Sequence, residues 1–225
     1  MSHEQAELKK EFELERMILF SDAVFAIAIT LLIIELKFPE VDRTSSSAEV
    51  MHAFRPIIIR FIAFALSFFF VGVMWARHLK IFKYLHTYDN GVIGRNLVFL
   101  FFIVCFPFTA SGLTEHMSPG FLLPIFIYFI NITLVWGAQY FLCAYIFNHK
   151  NQLTVEGFEP EKKFLLVQSK YLSLSLFITV VVTIALTFLF EKGSVYPLYG
   201  FYVMVILIIM VRKRLKKFKP SSKPD

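Results

Sequence analysis

Hydrophobic residues along this chain come in long blocks, and charged residues gather in the short breaks between them instead of interleaving. A helix that crosses a bilayer needs about 20 mostly apolar residues. By that measure six blocks are predicted to span: 17–38, 56–79, 92–113, 121–147, 164–190 and 195–211. The breaks hold residues that commonly end regular structure: Pro39, Pro56, Asp89-Asn90-Gly91, Ser118-Pro119-Gly120, Gly157 with Pro160, and Gly193. The expected architecture is all-α. A single six-helix membrane domain is predicted over residues 1–215, followed by a basic tail over 216–225 that is disordered past Lys219.

Composition supports that class. Of 225 residues, 57% are hydrophobic and 28 are phenylalanine, more apolar surface than a soluble domain of this length can hide. Cys105 and Cys143 both lie within apolar blocks, which fits small packing residues better than a disulfide framework. The first residues, MSHEQAELKKEFELER, are polar and mixed in charge with no small-residue cleavage site, so no signal peptide is expected.

Lysine and arginine positions predict the orientation. One side carries seventeen: Lys9, Lys10 and Arg16; Arg77, Lys80, Lys83 and Arg95; Lys150, Lys162 and Lys163; and seven from Arg212 to Lys223. The other carries four, Lys37, Arg43, Arg55 and Lys192, while Arg60 and Lys170 lie inside spans near their ends, where they can snorkel. The positive-inside bias puts both termini in the cytoplasm. The net charge of +6 then reflects topology and contact with anionic lipid heads, and no nucleic-acid partner is implied.

The first block, RMILFSDAVFAIAITLLIIEL, keeps polar groups that are costly in lipid: Arg16, Ser21, Asp22 and Thr30. At about 100° per residue, Ile27, Leu31 and Ile34 share one stripe with Thr30 on its edge. Asp22 projects roughly 130° from the centre of that stripe, and Ser21 also points off it. Periodicity alone leaves the stripe as lipid-facing or core packing, and leaves Asp22 as a site or part of a buried network. In the second block, Ser67, Trp75 and His78 follow at helical spacing, and the last two stand level with Ser21 and Asp22 once topology is applied. Indole, imidazole, carboxylate and Arg16 can satisfy one another there.

Enzyme readings find little support. Ser21, Asp22 and His78 lack the nucleophile elbow of a hydrolase, and His3-Glu4 lacks the second histidine of a zincin. No cofactor is expected. Thr154-Val155-Glu156-Gly157-Phe158 faintly resembles a potassium-channel filter, but it sits in a polar connector with Glu where a carbonyl-lining Gly is needed, and reads as a turn.

The run Arg16-x-x-x-Phe20-Ser21-Asp22 resembles the RxxxFSD signature of the transmembrane protein 175 family, the lysosomal/endosomal potassium channel and its prokaryotic relatives. The resemblance extends to Trp75-x-x-His78, to Asn96, and to Phe106-Pro107-Phe108. It implies a cation channel with no P-loop, in which the first helices line a central pore and bulky aliphatic side chains constrict it. Animal members carry two six-helix repeats. This chain has one, with no second FSD, so it looks like the prokaryotic form, a homotetramer of the cell membrane. Pore positions carry over to Ile27, Thr30, Leu31 and Ile34. Arg16, Phe20, Ser21, Asp22, Ser67, Trp75 and His78 become the network that anchors the helices behind the pore. Glu35 stands at the expected outer mouth, where it either concentrates K+ or pairs with Lys37 and Arg43. The expected function is a modestly selective, potassium-permeable channel gated by a hydrophobic constriction. The alternative is a proton- or cation-coupled transporter using Asp22; neither the inverted repeats nor the broken midplane helices usual in that class are evident, with Pro107 and Pro124 as the candidate kinks in their spans.

Overall fold

The computed structural model describes residues 3–34, 36–39, 46–115, 123–148, 153–189 and 200–216. Those residues form seven helices: α1 (His3–Ile34), α2 (Ser47–Phe82), α3 (Asn90–Val104), α4 (Phe106–Glu115), α5 (Leu123–Asn148), α6 (Glu159–Leu189) and α7 (Gly200–Lys216). The chain is an all-helical, polytopic membrane protein on a six-span plan, because α3 and α4 together fill one predicted span. Five described segments are long and apolar enough to cross a bilayer, and α7, at 17 residues, falls just short of the usual ~20.

Several helices run past the predicted spans for local reasons. α1 begins well before Met17 because the polar lead-in is rich in Glu and also carries Lys, Leu and Gln, all strong helix formers. Lys9 and Glu13, one turn apart, approach to 3.9 Å. α2 begins at Ser47 behind a capping box: the Ser46 hydroxyl accepts from the Glu49 amide, and the Glu49 carboxylate accepts from the Ser46 amide at 2.7 Å. Pro56, expected to mark a break, lies inside α2, as prolines in membrane helices often do. Pro107 has the opposite outcome. It lacks the N–H that would bond the Ile103 carbonyl, and the helix breaks at Cys105 before resuming as α4. The tail from Lys217 onward lies outside the described residues.

α1 packs on α2, α3 and α4; α5 packs on α3, α4 and α6; and α6 packs on α7. One core joins Phe25, Ala28 and Leu32 of α1 to Val71 and Met74 of α2, Phe99 and Ile103 of α3, and Val135 and Leu142 of α5. Lipid tails are as apolar as these side chains, so helix association rests on close packing and interhelical hydrogen bonds. α6 presents Ser175, Thr179 and Thr183 to its neighbours, and each of these hydroxyls donates back to a carbonyl of its own helix, so its own proton is satisfied. The connectors after α2 and before α6 meet through a bridge between Leu85 and Thr154, with the Thr87 and His86 amides donating to the Leu153 carbonyl. The Thr154–Phe158 stretch is that bridge and a bend at Gly157, whose φ of +82° suits glycine.

Candidate functional site

α1 has two unlike faces. Ser21, Phe25, Ala28 and Leu32, spaced by three and four residues, form one line, and all are 1% exposed or less. The other side is uncovered by the chain itself: Ile27 is 57% exposed, Leu31 38% and Ile34 63%, with Thr30 exposed beside them. The predicted stripe is therefore not core packing within its own chain. The Thr30 hydroxyl donates to the Ile27 carbonyl at 2.9 Å, which satisfies its proton and leaves oxygen lone pairs on the uncovered side.

Behind the buried face runs a one-way chain of hydrogen bonds. The Ser21 hydroxyl donates to the Met17 carbonyl at 3.0 Å and accepts from Asn96 Nδ2 at 2.9 Å. That fixes the Asn96 amide, so its Oδ1 accepts from His78 Nε2 at 2.9 Å, and the imidazole carries its proton on Nε2. Three helices are tied by this file, with Ser21 and His78 fully buried and Asn96 2% exposed. The imidazole stacks on Phe82 with centroids 4.0 Å apart and lies parallel to Phe99 at 5.7 Å; Phe25 tilts against it at 5.7 Å. Its Nδ1 is buried with no hydrogen-bond partner among the described residues. On the flank of α1, Trp75 Nε1 donates to Asp22 Oδ1 at 2.8 Å, a bond open to the protomer's surface.

The structure thus brings together Ser21 with His78, and Asp22 with Trp75. Ser67 stands apart: it donates to the Ala63 carbonyl, and the Tyr128 hydroxyl donates to it at 2.9 Å, joining α2 to α5. Arg16 and Phe20 are exposed on α1, outside this file of bonds. Glu35 lies outside the described residues. Among the described residues no group of three or more His, Cys, Asp or Glu side chains could hold a metal ion.

A second polar cluster was not anticipated. Arg77, counted above among connector charges, turns into the bundle. Its Nε donates to Gln139 Oε1 at 2.9 Å, one Nη to Gln168 Oε1 at 2.8 Å, and the other to Ser169 Oγ at 2.9 Å. The guanidinium carbon also lies 4.7 Å from the centre of the Trp136 ring. The signal available in sequence was Gln139, an amide in the middle of an apolar block.

Comparison with known proteins bears on this arrangement. Residues 16–107 match the sequence model of a family described as the endosomal/lysosomal potassium channel TMEM175. A potassium channel of Chryseobacterium sp. (strain P1-3) is 31% identical over 204 residues, covering 90% of this chain and 95% of that one. The chain belongs to the TMEM175 family. A crystal structure of a TMEM175 homolog from Chamaesiphon minutus shares the fold, with a TM-score of 0.65 at 23% identity over 90% of this chain and 98% of the homolog. A human relative, named an endosomal/lysosomal proton channel, is 24% identical over 140 residues, which cover 62% of this chain and 27% of the human protein.

Proposed function

We propose that this TMEM175-family chain is a potassium-permeable, modestly selective channel whose path is lined by the uncovered stripe of α1. The observation that carries the reading is the division of α1: Ser21, Phe25, Ala28 and Leu32 packed inward, Ile27, Thr30, Leu31 and Ile34 facing away from their own protomer. Exposure to lipid would leave aliphatic residues equally uncovered, so family membership and the neighbouring polar groups tip the balance toward a pore. One stripe spans about 10 Å from Ile27 to Ile34 at helical rise and cannot enclose a pore. Copies of the same helix supply the remaining wall in a closed cyclic assembly. Four copies leave a narrow axial channel where three leave little room beside branched side chains, so the reading is a homotetramer. The protein sits in the cell membrane with both termini cytoplasmic.

A ring of aliphatic side chains closes by dewetting when narrow. When wider, it passes an ion only if partial dehydration is tolerable, and potassium sheds water at lower cost than sodium, so discrimination is modest. The Thr30 oxygens offer one polar layer. The Ser21–Asn96–His78 file and the Asp22–Trp75 bond hold α1 from behind, with Glu35 at the outer mouth.

A second reading, proton movement through Asp22, draws on the name of the human relative. One experiment separates the two. Purified protein in liposomes, loaded with potassium and free of any proton gradient, should release potassium passively when the membrane potential is clamped with a proton-permeant ionophore. Flux that requires an imposed proton gradient would instead support a coupled carrier.

A further inference from the structure

Between α3, α5 and α6 lies an open cleft of about 560 Å³, within the ~300–1,000 Å³ common for ligand sites. Its walls are Val98 and Phe102 on α3, Leu134 and Phe141 on α5, and Leu174 and Phe177 on α6. Its floor is low because Gly137 has no side chain; a Cβ there would only reach ordinary contact, 3.9 Å from Ser173 Oγ. Thr133 donates to the Phe129 carbonyl, so its hydroxyl offers the cleft no free proton. Among the described residues that line it, Lys170 is the one that is charged.

Lys170 is exposed and has no hydrogen-bond or ion-pair partner among the described residues. It lies one turn before Ser173 and two before Phe177 on α6, so the cationic group marks the end of the cleft nearest the α5–α6 connector. Arg77, on the same helix level through Ser169, shows how this protein treats a cation that it satisfies internally: three acceptors and an aromatic face. Lys170 has none of these. An ammonium beside apolar walls near the end of a predicted span, within snorkelling reach of the lipid headgroups, is matched by an external anion attached to something apolar.

We propose that this cleft binds an anionic phospholipid, one acyl chain along Phe102, Leu134 and Phe177 and the phosphate at Lys170. The site goes beyond the channel reading and does not depend on which helix lines the pore. The uncharged alternative, a zwitterionic lipid held by its tail alone, would not use the lysine. A second copy of the chain would cover the cleft with protein.

The full-length protein, purified in detergent, is titrated with phosphatidylglycerol or phosphatidylcholine and bound lipid is counted by native mass spectrometry. In parallel, vesicles containing a phosphatidylglycerol with a photoreactive tail map the contact. Phosphatidylglycerol should bind preferentially, with tail adducts on peptides holding Phe102, Leu134 or Phe177. Lys170→Gln should weaken phosphatidylglycerol binding about fivefold, the usual worth of one basic side chain at an anionic surface, and leave phosphatidylcholine unchanged. Lys170→Arg should retain the preference. Gly137→Leu should lower binding of both lipids by filling the floor. Equal binding of the two lipids to wild type, or an unchanged preference in Lys170→Gln, overturns the proposal, as do adducts confined to other helices. Disulfides between subunits carrying Phe177→Cys would assign the cleft to a copy of the chain and overturn it as well. Potassium flux that fails while lipid selectivity persists counts against the channel reading alone.

Discussion

Arg77 and His78 are consecutive residues of α2, yet they lock different halves of the molecule. About 100° apart on the helix, His78 turns toward α1 and α3 and Arg77 toward α5 and α6. The histidine side is deeply buried and runs in single file: one donor at each step, a fixed amide, and aromatic rings over the imidazole. The arginine side is charged and wider, a planar fork received by two amides and a hydroxyl, with no carboxylate among these partners. A fork with several donors tolerates small shifts of its neighbours, whereas a single file through one amide fixes a register. The difference suggests that the α1 side needs a defined position more than it needs raw stability, as the proposed pore-lining role of α1 requires.

Substitutions can break this contrast. The largest loss is expected for Arg77→Met, which strands three acceptors at once and should cost on the order of 3 kcal/mol at ~1 kcal/mol for each bond. The check is the unfolding midpoint of purified protein in detergent. Asn96→Leu is expected next. It removes both bonds of the amide and leaves the buried His78 N–H without an acceptor, for about 2 kcal/mol. Its distinguishing mark is altered disulfide cross-linking between cysteines placed on α1 and α3, because register and not only stability is lost. The smallest effect belongs to His78→Phe. The ring fits among Phe25, Phe82 and Phe99, the unpartnered Nδ1 disappears, and only the Asn96 oxygen is orphaned, so no more than about 1 kcal/mol should be lost. A His78→Phe protein less stable than Arg77→Met would invert the comparison.

Much of the first-helix side was legible in sequence, and the reason is physical. Ser21, Asp22, Trp75 and His78 are polar intruders in apolar blocks, and such groups must find partners in a membrane. Which partners they find was less legible. Asp22 and Trp75 could be matched by depth, but the amide joining Ser21 to His78 comes from Asn96, which only the family pattern had marked. Ser67 shares α2 with His78 and was grouped with it, whereas its partner is Tyr128, 61 positions along the chain and on a helix that no periodicity places beside it. Arg77 looked like a connector charge because its three acceptors are neutral, and neutral amides leave no charge pattern. The break at Cys105 was foreshadowed by Pro107, but Pro56 shows that proline alone does not decide whether a membrane helix stops.

The central claim is that the uncovered stripe of α1 faces the permeation path. The most direct test is the reversal potential of currents through reconstituted protein, potassium on one side and sodium on the other, for wild type and Ile27→Asn. Ile27 is the bulky member of the stripe nearest the cytoplasmic end in the proposed orientation, and a polar amide there should wet the constriction. The account predicts a reversal potential that moves toward zero as discrimination against sodium weakens. An unchanged reversal potential, in a variant that assembles and conducts like wild type, would contradict it.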